Sequence, residues 1–401
     1  MFIYNTVGNA PIVGAAWPSN LFLDFVRTCA HLWIVFYSFG VCYQLQGVLM
    51  SKESGKSMNS KKLAKYTAFQ ASKPEQLELF FQDADGKYSH TIEFYDSIPY
   101  LVFKRPDRVE GQFLQHIEKE FGCRGKNFSV VVTPARIIDK DGVGRDYFPG
   151  TCEEVVEHVL RKFSADGRAV YLDDIHSFSF TIYALQQECI RLGHSYDYDQ
   201  LKKALRVLTN TGIEVSDEEG KSMFSLSPFE SFGMKTLEEQ EGAEKKVVCF
   251  VRYNILVTNS INNLQYRQLD YQTNLKLKSA LARWLHRRLS HTFSQASYNN
   301  SYDIKLSTIL RDSPLDSSNR PIRKSLADVT KCLEELKSSQ ILMSYEASKI
   351  YDLKDPRKII DCLFILKAHM PFIGEMIKAN TKSKELKSKV TGKKGTKVED
   401  T

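Results

Sequence analysis

Two stretches of the chain share one hydrophobic rhythm. In the first, Phe178, Ile182, Leu185, Cys189 and Leu192 recur at intervals of 4, 3, 4 and 3, which lays one apolar stripe along a helix. Gly193 follows, where a left-handed residue stops a helix. Asp197 or Asp199 can cap the next helix. In that helix Leu201, Leu205 and Leu208 face inward and leave Lys202, Lys203 and Arg206 on other faces. Gly212 ends it. Ile213–Val215 and Met223–Leu226 then flank a polar turn of Asp, Glu, Glu and Gly, the pattern of a hairpin.

The second stretch is stronger. Leu277, Leu281, Trp284, Leu285 and Leu289 predict a helix over Lys276–Ser290 that also carries Arg283, Arg287 and Arg288. Tyr302–Leu306 reads as a short strand leading into a helical turn at Ser307–Arg311. After the loop Asp312–Asn319 a long helix starts near Pro321, a residue whose missing N–H costs nothing in a first turn. Its Ile322, Leu326, Val329, Leu333 and Leu336 repeat the 4, 3, 4, 3 spacing. Ile341–Tyr345 and Cys362–Leu366 form a second hairpin, with Lys349, Lys354, Arg357 and Lys358 in its loop. Helix, turn, longer helix and β-hairpin is the winged-helix plan, in which the second helix enters a DNA major groove and the hairpin touches backbone. The fold class expected is α+β: two winged-helix domains in tandem after a small mixed α/β region.

Outside these copies the text is less regular. Phe128–Thr133 reads as a strand and Asp139–Gly144 as the turn after it. Residues 216–246 carry eight acids against four lysines and read as a wing followed by a linker. Residues 378–401 hold eight lysines and few apolar groups, the composition of a disordered basic tail. The expected division is a leader and flexible arm over 1–57, an N-terminal mixed region over 58–150, the first winged helix over 151–232, a linker and connecting strand over 233–262, the second winged helix over 263–377, and the tail.

Charge sharpens the picture. Residues 265–340 carry thirteen Lys/Arg and seven Asp/Glu, so a net +6 of the chain's +7 falls in that stretch. Arg320, Arg323 and Lys324 crowd the start of the long helix, where the macrodipole disfavours each exposed cation by about 0.3–1 kcal/mol. Phosphate oxygens or guanine edges would offset that cost. The candidate DNA contacts are therefore Arg320, Arg323, Lys324 and Lys331 in the second copy, Lys202, Lys203 and Arg206 in the first, and Arg357 and Lys358 in the second hairpin.

The 401 residues, 42% hydrophobic and 26% charged, exclude a mostly disordered, collagen-like or polytopic membrane chain. Thr28–Tyr43 is a sixteen-residue stretch without a full charge, short of the roughly 20 apolar residues of a membrane span. No membrane anchor is expected from it, and the leader reads as an extension or as an upstream translation before Met50 or Met58. The eight cysteines form no C-x-x-C pair, which fits neither a zinc framework nor a disulfide scaffold. They read as small buried residues in a reducing, cytoplasmic setting. Gly55-Lys56-Ser57 and Gly220-Lys221-Ser222 lack the first glycine of a P-loop, since Met50 and Val215 stand there. No two histidines are separated by a single residue, so the metal-holding pair of a nickase is missing. His286 and His291 read as surface residues, and Asp173-Asp174 as a cap or turn. No catalytic constellation and no cofactor or metal site is expected.

The segments Leu275–His291, Tyr302–Asp312, Arg320–Leu342 and Ser179–Val215 together resemble the replication initiators of theta-replicating plasmids, the tandem winged-helix proteins of TrfA/RepE type. The likeness lies in pattern and covers roughly residues 150–370. It implies a bacterial, non-enzymatic protein that binds double-stranded origin repeats (iterons), melts an adjacent AT-rich element, and recruits the host initiator and replicative helicase, with a homodimer as a second state. Upstream, Gln76-Leu77-Glu78-Leu79-Phe80 is similar to the pentapeptide by which bacterial replication proteins dock on the sliding clamp. There Leu79 and Phe80 would fill an apolar pocket while Gln76 hydrogen-bonds at its rim and Leu77 extends the apolar contact. Three other readings stand beside this one, one of them a membrane-tethered DNA-binding protein supported only by residues 28–43. A winged-helix transcriptional regulator would bind palindromic half-sites, and a metal-dependent nuclease or primase would nick or prime DNA.

Overall fold

The computed structural model describes residues 87–395 apart from 104–107, 109–112, 173–174, 238–245 and 316–319. The clamp-like pentapeptide and residues 28–43 lie outside the described residues.

The first part opens with β1 (Tyr88–Thr91) and α1 (Glu93–Ser97), then the hairpins β2 (Ile117–Cys123)–β3 (Lys126–Thr133) and β4 (Ala135–Ile138)–β5 (Gly144–Tyr147). Arg124 and Gly125 turn the first hairpin with positive φ of 51° and 72°, the conformation a two-residue connection needs to match strand twist. Next come α2 (Thr151–Phe163), β6 (Ala169–Leu172), β7 (Ile175–Thr181), α3 (Ile182–Arg191), α4 (Tyr198–Asn210) and the hairpin β8 (Gly212–Asp217)–β9 (Met223–Leu226). Three helices and a terminal hairpin make the first winged-helix unit. Its wing is the end of a larger sheet, β2-β3-β8-β9, because β3 pairs antiparallel with β8.

The helix boundaries follow the capping chemistry. Thr181 accepts a hydrogen bond from the Ala184 amide and starts α3 four residues later than the apolar stripe suggests; Phe178 belongs to β7. Gly193, at φ +87°, stops α3, and the His194 amide reaches back to the Cys189 carbonyl at 2.9 Å. Asp197 and Gln200 cap α4 reciprocally. Leu201, Leu205 and Leu208 are fully buried.

The segment expected as a linker holds β10 (Phe229–Leu237), which pairs with β11 (Lys246–Tyr253), which in turn pairs with β7. α5 (Ile255–Asn262) and β12 (Arg267–Asp270) follow, with β12 antiparallel to β1.

The expected helix over Lys276–Ser290 is divided. α6 (Tyr271–Lys276) ends at Leu277 and α7 (Ala280–Thr292) begins after Ser279, whose hydroxyl accepts from the Ala282 amide. Glu335 also accepts from the Lys278 and Ser279 amides, so this break is capped from another helix. Then β13 (Tyr302–Lys305), α8 (Leu306–Asp312), α9 (Ile322–Ser338) and the hairpin β14 (Leu342–Tyr351)–β15 (Ile359–Ala368) complete the second winged helix. Its sheet order, β13-β15-β14, joins the strand before α8 to the wing.

The tail expected to be disordered continues as α10 (Met370–Gly395). Phe372, Ile373, Met376 and Ala379 are buried, so its first turns are anchored by apolar contacts that precede the lysines.

Two cores result. One draws its residues from Ile92 to Leu275 and the other from Leu277 to Met376, so the chain changes core across the single residue Lys276. The described cysteines are unpaired and mostly buried. Burial pushes the Cys123 and Cys249 thiols up to about 11 and that of Cys189 up to about 12. They serve as packing groups.

Candidate nucleic-acid interface

Helix α9 buries Ser325, Val329, Cys332, Leu333 and Leu336. The opposite stripe, at helical spacing, is Arg323, Ala327, Lys331 and Glu334, with Lys324 at its edge, and all five are exposed. The acids on this helix all have partners. Arg320 pairs with Asp328. Glu334 accepts a 2.7 Å hydrogen bond from the Tyr345 hydroxyl on the hairpin, and burial together with that carboxylate pushes the phenol up to about 12. Glu335 is held on the amides that start α7, its Oε2 at 3.2 Å from the Ser279 nitrogen. Arg323, Lys324 and Lys331 have no ion-pair or hydrogen-bond partner among the described residues. The helix thus presents cations around the small Ala327, which lets another surface come close to its backbone. Its first turn has two cations, no acid and no side-chain cap, so the amide dipoles add to the positive field there.

The wing repeats this arrangement. Lys349, Lys354, Arg357 and Lys358 are exposed around its end. The two acids of its end turn shape that turn: Asp352 accepts from the Lys354 amide at 2.9 Å and Asp355 from the Arg357 amide at 3.0 Å. The Lys354 amide foremost, with the charge and hydrogen bond of Lys358, holds the Asp352 carboxyl below its usual range. Lys358 lies 3.6 Å from Asp352, a long and exposed contact.

The first unit differs. Lys202, Lys203 and Arg206 are half-buried on α4. Lys203 Nζ lies 3.0 Å from Asp139 and 3.4 Å from the centre of the Tyr147 ring. Arg206 donates to the Ile138 carbonyl at 3.3 Å. Both partners come from hairpin β4–β5, which also packs Ala135 and Ile137 against Val207. Asp139 in turn takes hydrogen bonds from Tyr147, Lys203 and Arg145 that outweigh its burial and hold its carboxyl down at about 2. The hairpin therefore occupies the flank of α4 that the sequence leaves open.

Much of the basic character of the 265–340 stretch is internal. Arg283, 1% exposed, donates through Nε and Nη2 to Glu154 at 2.9 and 2.6 Å, and Arg287 Nη2 lies 2.8 Å from the same carboxylate. Arg288 and Arg311 both reach Asp312, whose Oδ1 also accepts from the Gly122 amide. These groups join α2 and β2 of the first unit to α7 and α8 of the second. Burial works against the Glu154 carboxylate, and the charges of Arg287 and Arg283 more than reverse it, so its pKa falls.

Of the two expected surface histidines, one is fully buried and the other half-buried. His286 is fully buried, and its Nδ1 lies 3.1 Å from the Asn274 amide nitrogen. His291 Nε2 meets the Thr91 hydroxyl at 2.9 Å, while that hydroxyl donates to Asp96. The imidazole must then be the donor to Thr91, so Nε2 carries its proton. Burial lowers the His291 pKa to about 4. The spacing of these histidines carries no signal of burial, because their partners lie in β1, α6 and α10.

Among the described residues no group of three or more His, Cys, Asp or Glu is placed to hold a metal ion. No helix among them is long and apolar enough to cross a membrane.

No protein-family model and no curated sequence matches the chain. Solved structures do. A crystal structure of domains 2 and 3 of RctB aligns at 11% identity over 67% of this chain and 94% of that one, with a TM-score of 0.41. A second structure of RctB domains 2–3 aligns at 10% identity over 71% and 99%, with a TM-score of 0.42. The Pi initiator protein in complex with iteron DNA aligns at 11% identity over 55% and 91%, with a TM-score of 0.37.

Proposed function

We propose that the chain is a sequence-specific double-stranded DNA-binding protein that initiates plasmid replication at origin repeats, with no catalytic step of its own. The observation that carries the DNA reading is the sorting of charge on the second winged helix. Every acid on α9 is turned to a protein partner, while Arg323, Lys324 and Lys331 stand free beside a wing ringed by Lys349, Lys354, Arg357 and Lys358. An α-helix of this width fits a B-DNA major groove, where Arg or Lys pairs with guanine O6 and N7, and the wing then meets backbone.

In this reading α9 supplies the base contacts, with Arg323 foremost, and Arg320 is a second-rank group because Asp328 already holds it. Lys202, Lys203 and Arg206 contribute at most phosphate contacts along the groove beside β4–β5. The initiator role rests on the resemblance of the helical segments to plasmid initiators, and so do the sliding clamp, host initiator, helicase and homodimer as partners.

Binding of the purified chain to the DNA flanking its own gene tests the proposal. Tandem repeats about two helical turns apart should be protected in a footprint. Four to six phosphate contacts would give a log K against log salt slope of about −4 to −5. A flat salt dependence, or protection of palindromic half-sites alone, would exclude the initiator reading.

A further inference from the structure

The end of the second wing has a shape that phosphate contact alone does not require. Residues 352–358 form an ordered turn. The Asp352 amide donates to the Lys358 carbonyl and the Lys358 amide to the Asp355 carbonyl, each at 2.9 Å, and both aspartates cap amides within the same turn. Within it stands Leu353, 101% exposed, with Tyr351 and Ile360 also exposed on the adjoining strands. Lys354 and Arg357 belong to the same turn, and their side chains have no partner among the described residues. A single exposed apolar residue is ordinary on a protein surface. Here it is held out by a turn that uses both of its acids to fix its own backbone, and the groups beside it are cations.

We propose that Leu353 is a wedge that enters the minor groove next to the α9 site and partly unstacks one base step, with Lys354 and Arg357 on the flanking phosphates. This rests on the DNA-reading role proposed above and adds to it a local distortion of the duplex. A minor groove about 6 Å wide excludes a two-stranded hairpin but admits one side chain from the turn at its end. Apolar wedges kink DNA in this way, and the unstacking is offset by burial of the inserted group and by contacts the bend permits. The rigid turn matters because a mobile loop would lose its conformational freedom on insertion.

The test uses the full chain and a duplex selected by the native protein from a random-sequence library, with a fluorescent adenine analogue placed at one position at a time. The native protein should raise the fluorescence at one or two adjacent steps flanking the α9 contacts. Leu353→Ala should abolish that rise and weaken binding by about tenfold, the equivalent of leaving one leucine side chain unburied. Its fold should be unchanged by circular dichroism and thermal melting, since the side chain is wholly in solvent. Lys354→Ala should weaken binding and flatten the salt slope while keeping the rise. If the native protein selects a sequence but no step brightens, or if Leu353→Ala brightens the same step equally, the wedge is wrong and the DNA-reading helix stands. If the native protein selects no sequence at all, both fail.

Discussion

Replacing Glu154 by Gln probes the joint between the two winged helices. The carboxylate is 0% exposed and meets three guanidinium nitrogens, Arg283 Nε and Nη2 and Arg287 Nη2, at 2.6–2.9 Å. An amide keeps one acceptor oxygen and loses the charge, and it puts an N–H against a guanidinium. Removing one partner of a buried ion pair costs about 3–5 kcal/mol, most of it from the charge left uncompensated. Arg283 also donates to the Leu277 and Lys278 carbonyls, which favours the lower end, about 3 kcal/mol. Because each unit has its own apolar core, the loss falls on the joint. Urea unfolding followed by far-UV circular dichroism should then show a lower midpoint, or two transitions in place of one. Exchanging the whole cluster, Glu154→Leu with Arg283→Leu and Arg287→Met, should recover most of the stability, since apolar groups of similar volume replace buried ions at little cost. A change under about 1 kcal/mol for Glu154→Gln would show that water reaches this carboxylate and that the buried joint is misdescribed.

Other consequences follow from single features. His291, lowered to about 4 by burial, and His158, lowered well below the ordinary imidazole range by burial and then by Arg287, are neutral in the folded chain. The unfolded chain protonates near pH 6.5, so their contribution is complete above that value and is lost as pH falls towards 4. For His291 alone, stability should drop by about 2 kcal/mol between pH 7.5 and 5, with His158 adding in the same direction, and a flat urea midpoint across that range would contradict the burial. Gly193→Ala places a side chain at φ +87°, with open space around the added carbon. The backbone strain alone should lower stability by about 1 kcal/mol, measured as a shift in melting temperature. Lys203→Ala removes an ion pair and a cation–π contact to hairpin β4–β5. It should reduce stability by about 1 kcal/mol and leave DNA affinity within about twofold, the pattern of a group used internally; a tenfold loss of affinity would return Lys203 to the DNA face.

The second winged helix was legible because its signals are local. The 4, 3, 4, 3 spacing, Pro321 before Ile322 and the apolar strands after the helix each fix one element without reference to the rest of the chain. The first was legible as helices and hairpin, through Gly193 and Asp197, but not as a sheet. The pairing of β3 with β8 joins residues from Phe128 with Asp217 to Thr133 with Gly212, and no spacing rule reaches across so long a separation. The same limit explains the arginines. Arg283 and Arg287 look like one basic helix face until Glu154, more than 120 residues earlier, is placed against them. Arg288 and Arg311 are likewise taken up by Asp312. What remained readable was the exposed set on α9 and the wing, since most of the acids near it are met within the same domain: Tyr345, Arg320 and the α7 amides hold those of α9, the turn's own amides hold Asp352 and Asp355, and Glu346 on β14 stays exposed. α10 shows the converse. Lysine content alone suggested disorder, while Phe372 and Met376, just before the lysines, give the helix a place to start.

The central claim is that α9 reads base sequence through Arg323. Binding of the native chain and of Arg323→Ala to the selected duplex and to a scrambled duplex, at one salt concentration, tests it most directly. The account predicts a loss of about 1–3 kcal/mol on the selected duplex and little change on the scrambled one. Equal losses on both would reduce Arg323 to a backbone contact, and no loss on either would remove α9 from the interface.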